Sequence, residues 1–338
     1  MIKTANSLES FRHDTNCNDI LNIFFGENYS SFVCDGSCSS SVYVYSEKYV
    51  MPVSICKKFV FCWGRFLSEP YIYSEGNDSM DAFLNSTCQF LKKAYGIQWI
   101  AITPAYTFFN EYPEGAKHVP FGSHVINLTL DEEILFSNIH SKHRNVIRKA
   151  EKEGVVIEKG VSDSLISDYH KIDILTWKRS YRTASGEESL HKTVNKLKDN
   201  VIIYIAYKDG EPQSGAVFFY NNVMCYYMHG ANNDNPVTGS GNLLQWQAIK
   251  DMKAYGVAKF SFVGCRINED KNSKYHGIQR FKERFGGELV QGFLFKKVLS
   301  KFYFNLFIFS KACISLLRHG RIVKTQDIID QEIYKWEQ

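Results

Sequence analysis

The sequence predicts an α/β fold in which one arrangement of secondary structure occurs twice. The tetrapeptide KAYG stands at residues 93–96 and again at residues 253–256. Each copy ends a stretch with apolar residues at helical spacing and precedes a short apolar run, IQWIAI in the first case and VAKFSF in the second. Chance explains a four-residue match in a chain of this length, and helix–glycine–strand joints are common in α/β proteins. The matching context nevertheless favours a duplication.

Each copy of the predicted unit consists of a hairpin, a loop, a helix and a strand. The hairpins are VYVYSEKYVMPVSI, with a polar turn at residues 46–48, and IIYIAYKDGEPQSGAVFFY, with a turn at residues 208–210. We expect Gly96 and Gly256 to end the helices in the left-handed conformation. The apolar positions that define the two helices are Leu84, Cys88, Leu91 and Tyr95 in the first and Leu244, Ala248, Met252 and Tyr255 in the second.

The composition is that of a globular protein. The 338 residues are 44% hydrophobic and include 25 Phe and 20 Tyr, which is enough apolar surface for a large core and favours two domains over one. The net charge of +4 is too small to indicate a dedicated nucleic-acid binder. Local basic clusters are still candidates for phosphate contacts.

The N-terminus and the cysteines indicate a cytoplasmic protein. The stretch MIKTANSLESFRHDTNCND lacks the apolar run of a signal peptide. The nine cysteines are scattered and odd in number, so we expect free, mostly buried thiols. Cys34 and Cys38 lack a second pair at zinc-finger spacing, and we therefore predict no metal site.

A basic helix is predicted between the two halves, in DEEILFSNIHSKHRNVIRKAEKEGV. Thr129 and Glu132 have the spacing of a capping box at its start, and Gly154 stands at its end. A solvated surface helix explains this charge run as well as a phosphate-binding surface does. The cations that project away from the apolar face are Lys142, Arg144, Arg148, Lys149 and Lys152.

Three segments resemble the Fem family of peptidoglycan-bridge peptidyltransferases and the related BioF2-like acyltransferases. They are HSKHRNVIRKAEKEGV, GNLLQWQAIKDMKAYGVAKFSFVG and GIQRFKERFGG, and the resemblance extends from the first hairpin to Phe293. It implies an α/β (α+β) tandem of two GNAT-like acyltransferase units, each a mixed, mostly antiparallel sheet flanked by helices. The expected domains are residues 1–160, which end in the basic junction helix, and residues 161–295, which hold the donor site. An aromatic and basic helical segment, residues 296–338, follows them.

The resemblance also implies an activity, the formation of an amide on an amine of a cell-envelope precursor. The acceptor is expected to be nucleotide- or lipid-linked, either an amino sugar of a surface polysaccharide or a peptidoglycan peptide. The donor is acyl-CoA or aminoacyl-tRNA, used as a co-substrate, and no tightly bound cofactor is expected. The basic helix favours tRNA as a partner, whereas a Gly-Ser-Gly loop and the lack of a long heptad stretch favour a thioester.

The predicted donor-binding residues are Gly239, Ser240, Gly241 and Asn242, at the start of a helix. Main-chain N–H groups at such a glycine-rich helix start can hold an anion such as the pyrophosphate of coenzyme A. A simple flexible turn is the alternative. The loop resembles the GNAT pyrophosphate motif only in part, because residues 234–236 replace the Gln or Arg that usually opens it.

Phe281 and Lys282 match the Phe-Lys pair of the Fem family, for which the resemblance implies a catalytic lysine close to the reaction centre. Its ammonium would stabilise an oxyanion or neutralise a donor phosphate. Spacing alone favours a different interpretation, an amphipathic helix that buries Phe281 and Phe285 and leaves Lys282 in solvent.

Acceptor-binding candidates precede and follow the second hairpin. Thr176 and Arg179 are similar to a Fem-family Thr-x-x-Arg, which implies that Arg179 faces an anionic acceptor; Tyr181 and Arg182 are its rivals. His229 ends a strand beside the donor loop, and His276 lies before the Phe-Lys helix. Lone histidines are more often structural, so the general base is not assigned.

The segment after the second domain, FLFKKVLSKFYFNLFIFSKACISLLRHGRIVK, mixes aromatic and basic residues. Charges interrupt it too often for a transmembrane helix. It either lies on the inner face of the membrane or closes the core. A second hypothesis for the whole chain is a non-catalytic GNAT-like binding module on a membrane surface or on nucleic acid.

Overall fold

The computed structural model describes residues 1–34, 38–267, 273–321 and 326–336. Its strands are β1 Lys3–Ala5, β2 Cys38–Tyr45, β3 Tyr49–Lys58, β4 Phe61–Phe66, β5 Tyr71–Ile72, β6 Trp99–Ile100, β7 Lys117–Asn127, β8 Val156–Gly160, β9 Val201–Lys208, β10 Glu211–Tyr220, β11 Met224–Asn232, β12 Lys259–Ser261, β13 Cys265–Arg266 and β14 Glu288–Val298. Its α-helices are α1 Leu8–Thr15, α2 Glu27–Val33, α3 Met80–Tyr95, α4 Glu132–Asn138, α5 Ser141–Lys152, α6 Asp163–Arg179, α7 Glu187–Leu197, α8 Ser240–Ala254, α9 Lys274–Glu283, α10 Lys301–His319 and α11 Ile328–Trp336.

The chain forms two compact units. The first comprises residues 1–122 and 291–338, and the second comprises residues 123–290. The boundary predicted after residue 160 falls between β8 and α6, within the second unit. The basic junction helix therefore belongs to the second unit, and the segment from residue 296 belongs to the first.

The two units contain the same succession of paired strands. In the first, β2, β3 and β4 form an antiparallel meander, and β6 pairs parallel to β4 after α3. In the second, β9, β10 and β11 form the meander, and β12 pairs parallel to β11 after α8. In each unit the parallel strand has an antiparallel neighbour on its other side. β14 pairs with β6, and the end of β7 pairs with β12. The predicted duplication and both predicted hairpins are confirmed.

The repeated KAYG phrase has the predicted conformation in both units. Gly96 caps α3 with φ of 69°, and Gly256 follows α8 with φ of 76°. These values lie in the left-handed region, where glycine has no steric penalty. Each helix is thereby ended just before its parallel strand.

Helices cover both faces of the second unit's sheet. Leu244 and Met252 of α8 pack with Phe218 of β10 in a fully buried core. On the other face a Cβ at Gly215 would lie 2.8 Å from the Tyr169 ring of α6. Since alternate residues of β10 point to opposite faces, α8 and α6 lie on opposite sides of the sheet.

The basic segment differs from its prediction, because it forms two helices instead of one. The chain is extended at Ile139, between α4 and α5, and the Ile139 side chain is buried. The predicted capping box is wrong: Asp131 is the N-cap residue of α4, and the Thr129 hydroxyl donates to the Asn127 side chain at 2.9 Å. Burial of Ile139 outweighs the continuous helical pattern of the sequence.

The cysteines are largely as expected, with one correction. Cys56 is disulfide-bonded, so the expectation of free thiols is wrong at this position. The free thiols among the described residues are buried at Cys17, Cys62, Cys88, Cys225 and Cys265, half-buried at Cys34 and exposed at Cys313.

No helix within the described residues is both long and apolar enough to cross a bilayer.

Candidate active site

A cleft of about 1110 Å³ opens in the second unit. It lies between the end of α6, the end of β11, the start of α8, and α9. Its origin is the parallel pair, in which Tyr226 of β11 and Ser261 of β12 are the last register partners. β11 continues to Asn232 without this neighbour, which leaves a gap at the sheet.

A β-bulge in β11 changes the face of the sheet on which the side chains beside this gap lie. Val217 of β10 is paired with His229, but Phe218 is paired with Tyr227, so Met228 is the extra residue. Tyr227 packs against the core below α8. His229 lines both the main cleft and a smaller cavity of about 110 Å³, which it shares with Asp173 and Trp177 of α6.

The environment of His229 lowers its pKa. The ring is open to water through the cleft but is surrounded by protein, and this partial desolvation disfavours the charged imidazolium. A neutral imidazole beside the smaller cavity is able to accept a hydrogen bond or a proton.

The two glycines of the predicted donor loop have different roles. Gly239 has φ of 88°, and a Cβ there would lie 2.2 Å from the main-chain oxygen of Val146 in α5. A Cβ at Gly241 would meet its nearest atom, the Ser214 hydroxyl, at an ordinary 3.5 Å. Close packing therefore requires a glycine at position 239, whereas position 241 would accept a Cβ in ordinary contact with its neighbours.

Buried hydroxyls hold the first turn of α8. Ser240 is 1% exposed, and its hydroxyl lies 2.8 Å from that of Ser214. Ser214 in turn donates to the Asn232 side chain at 2.8 Å. Because the first N–H groups of an α-helix have no acceptor within the helix, this fixed turn is suited to binding an anion.

Polar atoms without partners line the α8 wall of the cleft. Within the described part of the chain, the Asn242 amide nitrogen and the Gln245 side-chain oxygen are buried without a hydrogen bond. Burial raises the pKa of Tyr227 to about 12, which exceeds the opposing effect of a hydrogen bond from Gln245. Tyr227 is therefore a hydrogen-bond donor at neutral pH, and a ligand in the cleft would satisfy the two amide atoms.

Lys282 faces the cleft from α9 and is only 9% exposed. Its ammonium donates hydrogen bonds to the main-chain oxygens of Val263 and, at 3.0 Å, of Gly264. Burial lowers the pKa of Lys282 to about 8, against a smaller opposing effect of Cys265. Phe281 also lines the cleft and packs against Phe285 of the core. The expectation that Lys282 points into solvent is thus wrong.

Arg179 is engaged by the loop that precedes α8. Its guanidinium donates to the Asp234 carboxylate at 2.5 Å and to the Asn232 main-chain oxygen at 2.7 Å. The Thr176 hydroxyl accepts from the Asn232 N–H at 2.9 Å. The Thr-x-x-Arg pair therefore holds this loop in place and neutralises Asp234.

The rivals of Arg179 lie in different places. Arg182 lines the cleft, whereas Tyr181 is 99% exposed and is not among the cleft residues. His276 is also absent from the cleft lining, although its neighbours Tyr275 and Gly277 belong to it.

The cations of the basic helix are mostly used within the second unit. Arg144 donates to the main-chain oxygens of Ser137 and Ile139, which ends α4. Arg148 lies over the Phe136 ring at 5.3 Å. Lys149 pairs with Glu153 at 3.6 Å. Of these three cations only Lys149 is paired with a carboxylate of the described residues, at an exposed position, so Arg144 and Arg148 keep their positive charge.

Sequence reasoning did not single out Tyr227 and Gln245. Tyr227 lies in an apolar strand and Gln245 in a helix whose pattern is that of a buried one. Only their positions in the sequence could have indicated them, because Tyr227 lies two residues from His229 and Gln245 lies three residues from Asn242. Groups of His, Cys, Asp and Glu suited to a metal ion are absent from the described residues.

Comparisons with known proteins find similar sequences and folds. Residues 137–283 match the family model described as the acetyltransferase (GNAT) domain, which spans α5 to α9. A stretch of 106 residues is 26% identical to lipid II:glycine glycyltransferase of Staphylococcus haemolyticus (strain JCSC1435), covering 31% of this chain. It spans 25% of that protein's length.

Solved structures share the fold at low sequence identity. The crystal structure of FemX superposes with a TM-score of 0.66 at 12% identity, over 90% of this chain and 99% of that one. L-PGS from Bacillus licheniformis gives 0.52 at 11% identity, over 90% and 95%. The resemblance to Fem and GNAT proteins and the predicted fold class are confirmed.

The two glycines provide a first prediction, on stability alone. Gly239→Ala should lower the free energy of unfolding by about 2 kcal/mol or more, because a Cβ in the left-handed region would also clash with the main chain of α5. Gly241→Ala should raise it by about 0.5–1 kcal/mol, because alanine is the better helix former. Urea unfolding of both variants measures the difference. Equal effects would contradict the distinct roles of the two residues.

Proposed function

We propose that this chain, with its GNAT domain at residues 137–283 and its Fem-like fold, is an acyltransferase that forms an amide on an amine of a cell-envelope precursor. The observation that carries the proposal is the buried ammonium of Lys282 in the same cleft as the open first turn of α8. One group suits a developing oxyanion and the other a phosphate of the donor.

In this proposal Lys282 stabilises the tetrahedral intermediate. The acceptor amine attacks the acyl carbonyl carbon, a C–N bond forms, and the carbonyl oxygen becomes negative before the leaving group departs. Val263 and Gly264 accept two of the three ammonium hydrogens, and the third is available to that oxygen. These two hydrogen bonds also fix the ammonium, so little reorganisation is needed during the reaction.

We propose a coenzyme A thioester as the donor. Gly241 lines the cleft at the start of α8, where main-chain N–H groups suit a phosphate. The Asn242 amide nitrogen and the Gln245 side-chain oxygen, both without a hydrogen bond to the residues that the structure describes, offer a donor and an acceptor to a polar chain in the cleft. Arg179 neutralises Asp234, which would otherwise repel the anion. The residues present therefore fit this co-substrate, and the reaction would take place in the cytoplasm, where such thioesters are made.

The acceptor side is assigned to the cavity of His229. The relative's name specifies lipid II, a precursor of the peptidoglycan type, and we extend that class of acceptor to this chain. Arg182 lines the adjoining cleft and suits an anionic group of such a precursor. His229, as a neutral imidazole, suits the amine that must lose a proton.

Aminoacyl-tRNA is the second candidate donor, favoured by the match to a glycyltransferase. It needs free cations on the surface around the cleft. Arg144 and Arg148 are held by neutral groups within the unit and keep their charge, so the basic helix remains a candidate surface for tRNA.

Lys282 provides a prediction for pH dependence. The charged form is the active one, and the pKa is lowered to about 8, so the protonated fraction falls as the pH rises through this value. We expect kcat/KM to fall about tenfold per pH unit above that point. Lys282→Arg, which stays charged, should move this decline to higher pH. A wild-type profile that rises steadily beyond pH 9 would contradict the role.

Removal of the ammonium provides a further prediction. Lys282→Met should lower kcat by about 100-fold or more, which is the usual loss for one oxyanion donor. Arg280→Met is the matched control, because Arg280 lies on the same helix and is exposed outside the cleft lining. Unchanged kcat of Lys282→Met in a correctly folded protein would contradict the role of Lys282. Absence of acyl transfer by the wild type would support the non-catalytic binding module instead.

The donor is tested by thermal unfolding with acetyl-CoA, free CoA or charged tRNA added separately. A ligand that binds only the folded state raises the melting temperature by mass action. We expect both CoA species to do so. A shift with charged tRNA alone, which weakens steeply with salt, would replace the thioester with the second candidate.

A further inference from the structure

Helix α10 packs on the sheet of the first unit through one side only. The rings of Phe304 and Phe307 lie 5.8 Å and 4.8 Å from that of Trp99. Phe307 also contacts Phe61 of β4, with ring centroids 5.3 Å apart. This side accounts for the aromatic residues that the sequence pattern left open between core and membrane.

The opposite side of α10 is apolar and exposed. Phe302 is 70% exposed, Phe309 is 67% exposed and Leu317 is 87% exposed. Positions spaced by three, four and seven residues share one face of a helix, so these side chains form a continuous stripe. The stripe consists of Phe302, Leu306, Phe309, Cys313, Leu316 and Leu317.

The charge of α10 has a single sign. Its nineteen residues include Lys301, Lys311 and Arg318 and contain neither Asp nor Glu. The Lys311 ammonium lies 4.6 Å from the Phe307 ring, on the side away from the stripe. The helix is thus apolar on its outer face, and Lys301 at its start is the cation nearest to the stripe.

A hairpin tip in the same unit repeats this combination. Lys58 and Phe61 are register partners, which leaves Phe59 and Val60 as a two-residue turn preceded by Lys57. Phe59 is 93% exposed and has φ of 54°. Asn and Gly are favoured in such turns, and a bulky residue there is a steric outlier. Neither turn chemistry nor core packing explains this phenylalanine.

Gln98 ties the tip to the start of α10. Its side chain donates to the Val60 carbonyl oxygen at 2.9 Å and accepts from the Cys62 N–H at 3.0 Å. Its own carbonyl oxygen accepts from the N–H groups of Leu299 and Ser300. Together with the Phe61–Phe307 contact, these bonds fix the tip and α10 as one surface.

We propose that this surface, formed by the stripe of α10 and the tip at residues 57–60, docks the protein on an anionic lipid bilayer. A helix with an exposed apolar stripe lies in the interface of a membrane. The exposed Lys57 and Lys58 of the tip and Lys301 at the start of α10 add attraction to acidic headgroups. The uniform positive charge of two separate elements favours a lipid surface over a second copy of this chain, which would carry the same charge. The proposal is independent of the acyltransferase assignment.

The test is sedimentation of the full chain with vesicles of phosphatidylcholine, alone or mixed with phosphatidylglycerol. The variants are Phe59→Asn and Phe309→Ser. Ile72→Ser is the matched control, because Ile72 is 53% exposed but pairs with Tyr49, at the other end of β3 from the tip. Oligomeric state without vesicles and acyl transfer to a water-soluble amine are measured in parallel.

The wild type should bind the mixed vesicles in preference to phosphatidylcholine and lose affinity with added salt. Each of the two variants should bind about tenfold more weakly, since each loses one inserted aromatic side chain, and the control should be unchanged. Phe59→Asn should also melt at a higher temperature, because Asn suits the left-handed turn, so that weaker binding is not a sign of unfolding.

Absence of binding by the wild type, or equal binding by all variants, would overturn the proposal. A dimer that Phe309→Ser dissociates, in a protein that does not bind vesicles, would assign the surface to self-association. Transfer to the soluble amine should persist in Phe59→Asn. Absence of acyl transfer by the wild type, together with normal vesicle binding, would count against the proposed function and not against the docking surface.

Discussion

The early end of one parallel strand pair is the constraint on which the second unit depends. β12 stops at Ser261 while β11 continues to Asn232, and the sheet opens where main-chain groups would otherwise pair. The gap exposes one edge of β11 beside the first turn of α8. The bulge at Met228 then sends Tyr227 and His229 to opposite sides of the sheet, so that a single strand serves both the main cleft and the smaller cavity.

Lys282 and Arg179, which line this cleft, also make hydrogen bonds that hold its wall, and losing these bonds would destabilise the fold. Lys282 binds the main-chain oxygens of Val263 and Gly264, two residues in left-handed conformations. Arg179 binds Asp234 in the loop before α8 and Asn232 at the end of β11. A variant at either position therefore changes both the charge in the cleft and the shape of its wall. This is why stability has to be measured beside activity for both residues.

The sequence was sufficient where local chemistry decides the structure. Gly96 and Gly256 mark helix ends because glycine, which has no Cβ, adopts their left-handed conformation without a steric penalty. The sequence was insufficient where contacts with residues distant in the chain decide the structure. The break at Ile139 depends on burial, and the partner of Arg179 is Asp234, 55 residues away. The role of Gly239 depends on the main chain of Val146. Motif resemblance found Lys282, but spacing alone placed it in solvent.

In the mechanism proposed above, the cleft of the second unit binds a coenzyme A thioester at the start of α8. Calorimetric titration of CoA into the wild type and into Gly241→Trp tests this binding, because a large side chain at position 241, which lines the cleft, would obstruct the start of α8. We predict that the wild type binds, and that the variant keeps its melting temperature without ligand but does not bind. Equal binding by both proteins, or no binding by the wild type, would contradict the account.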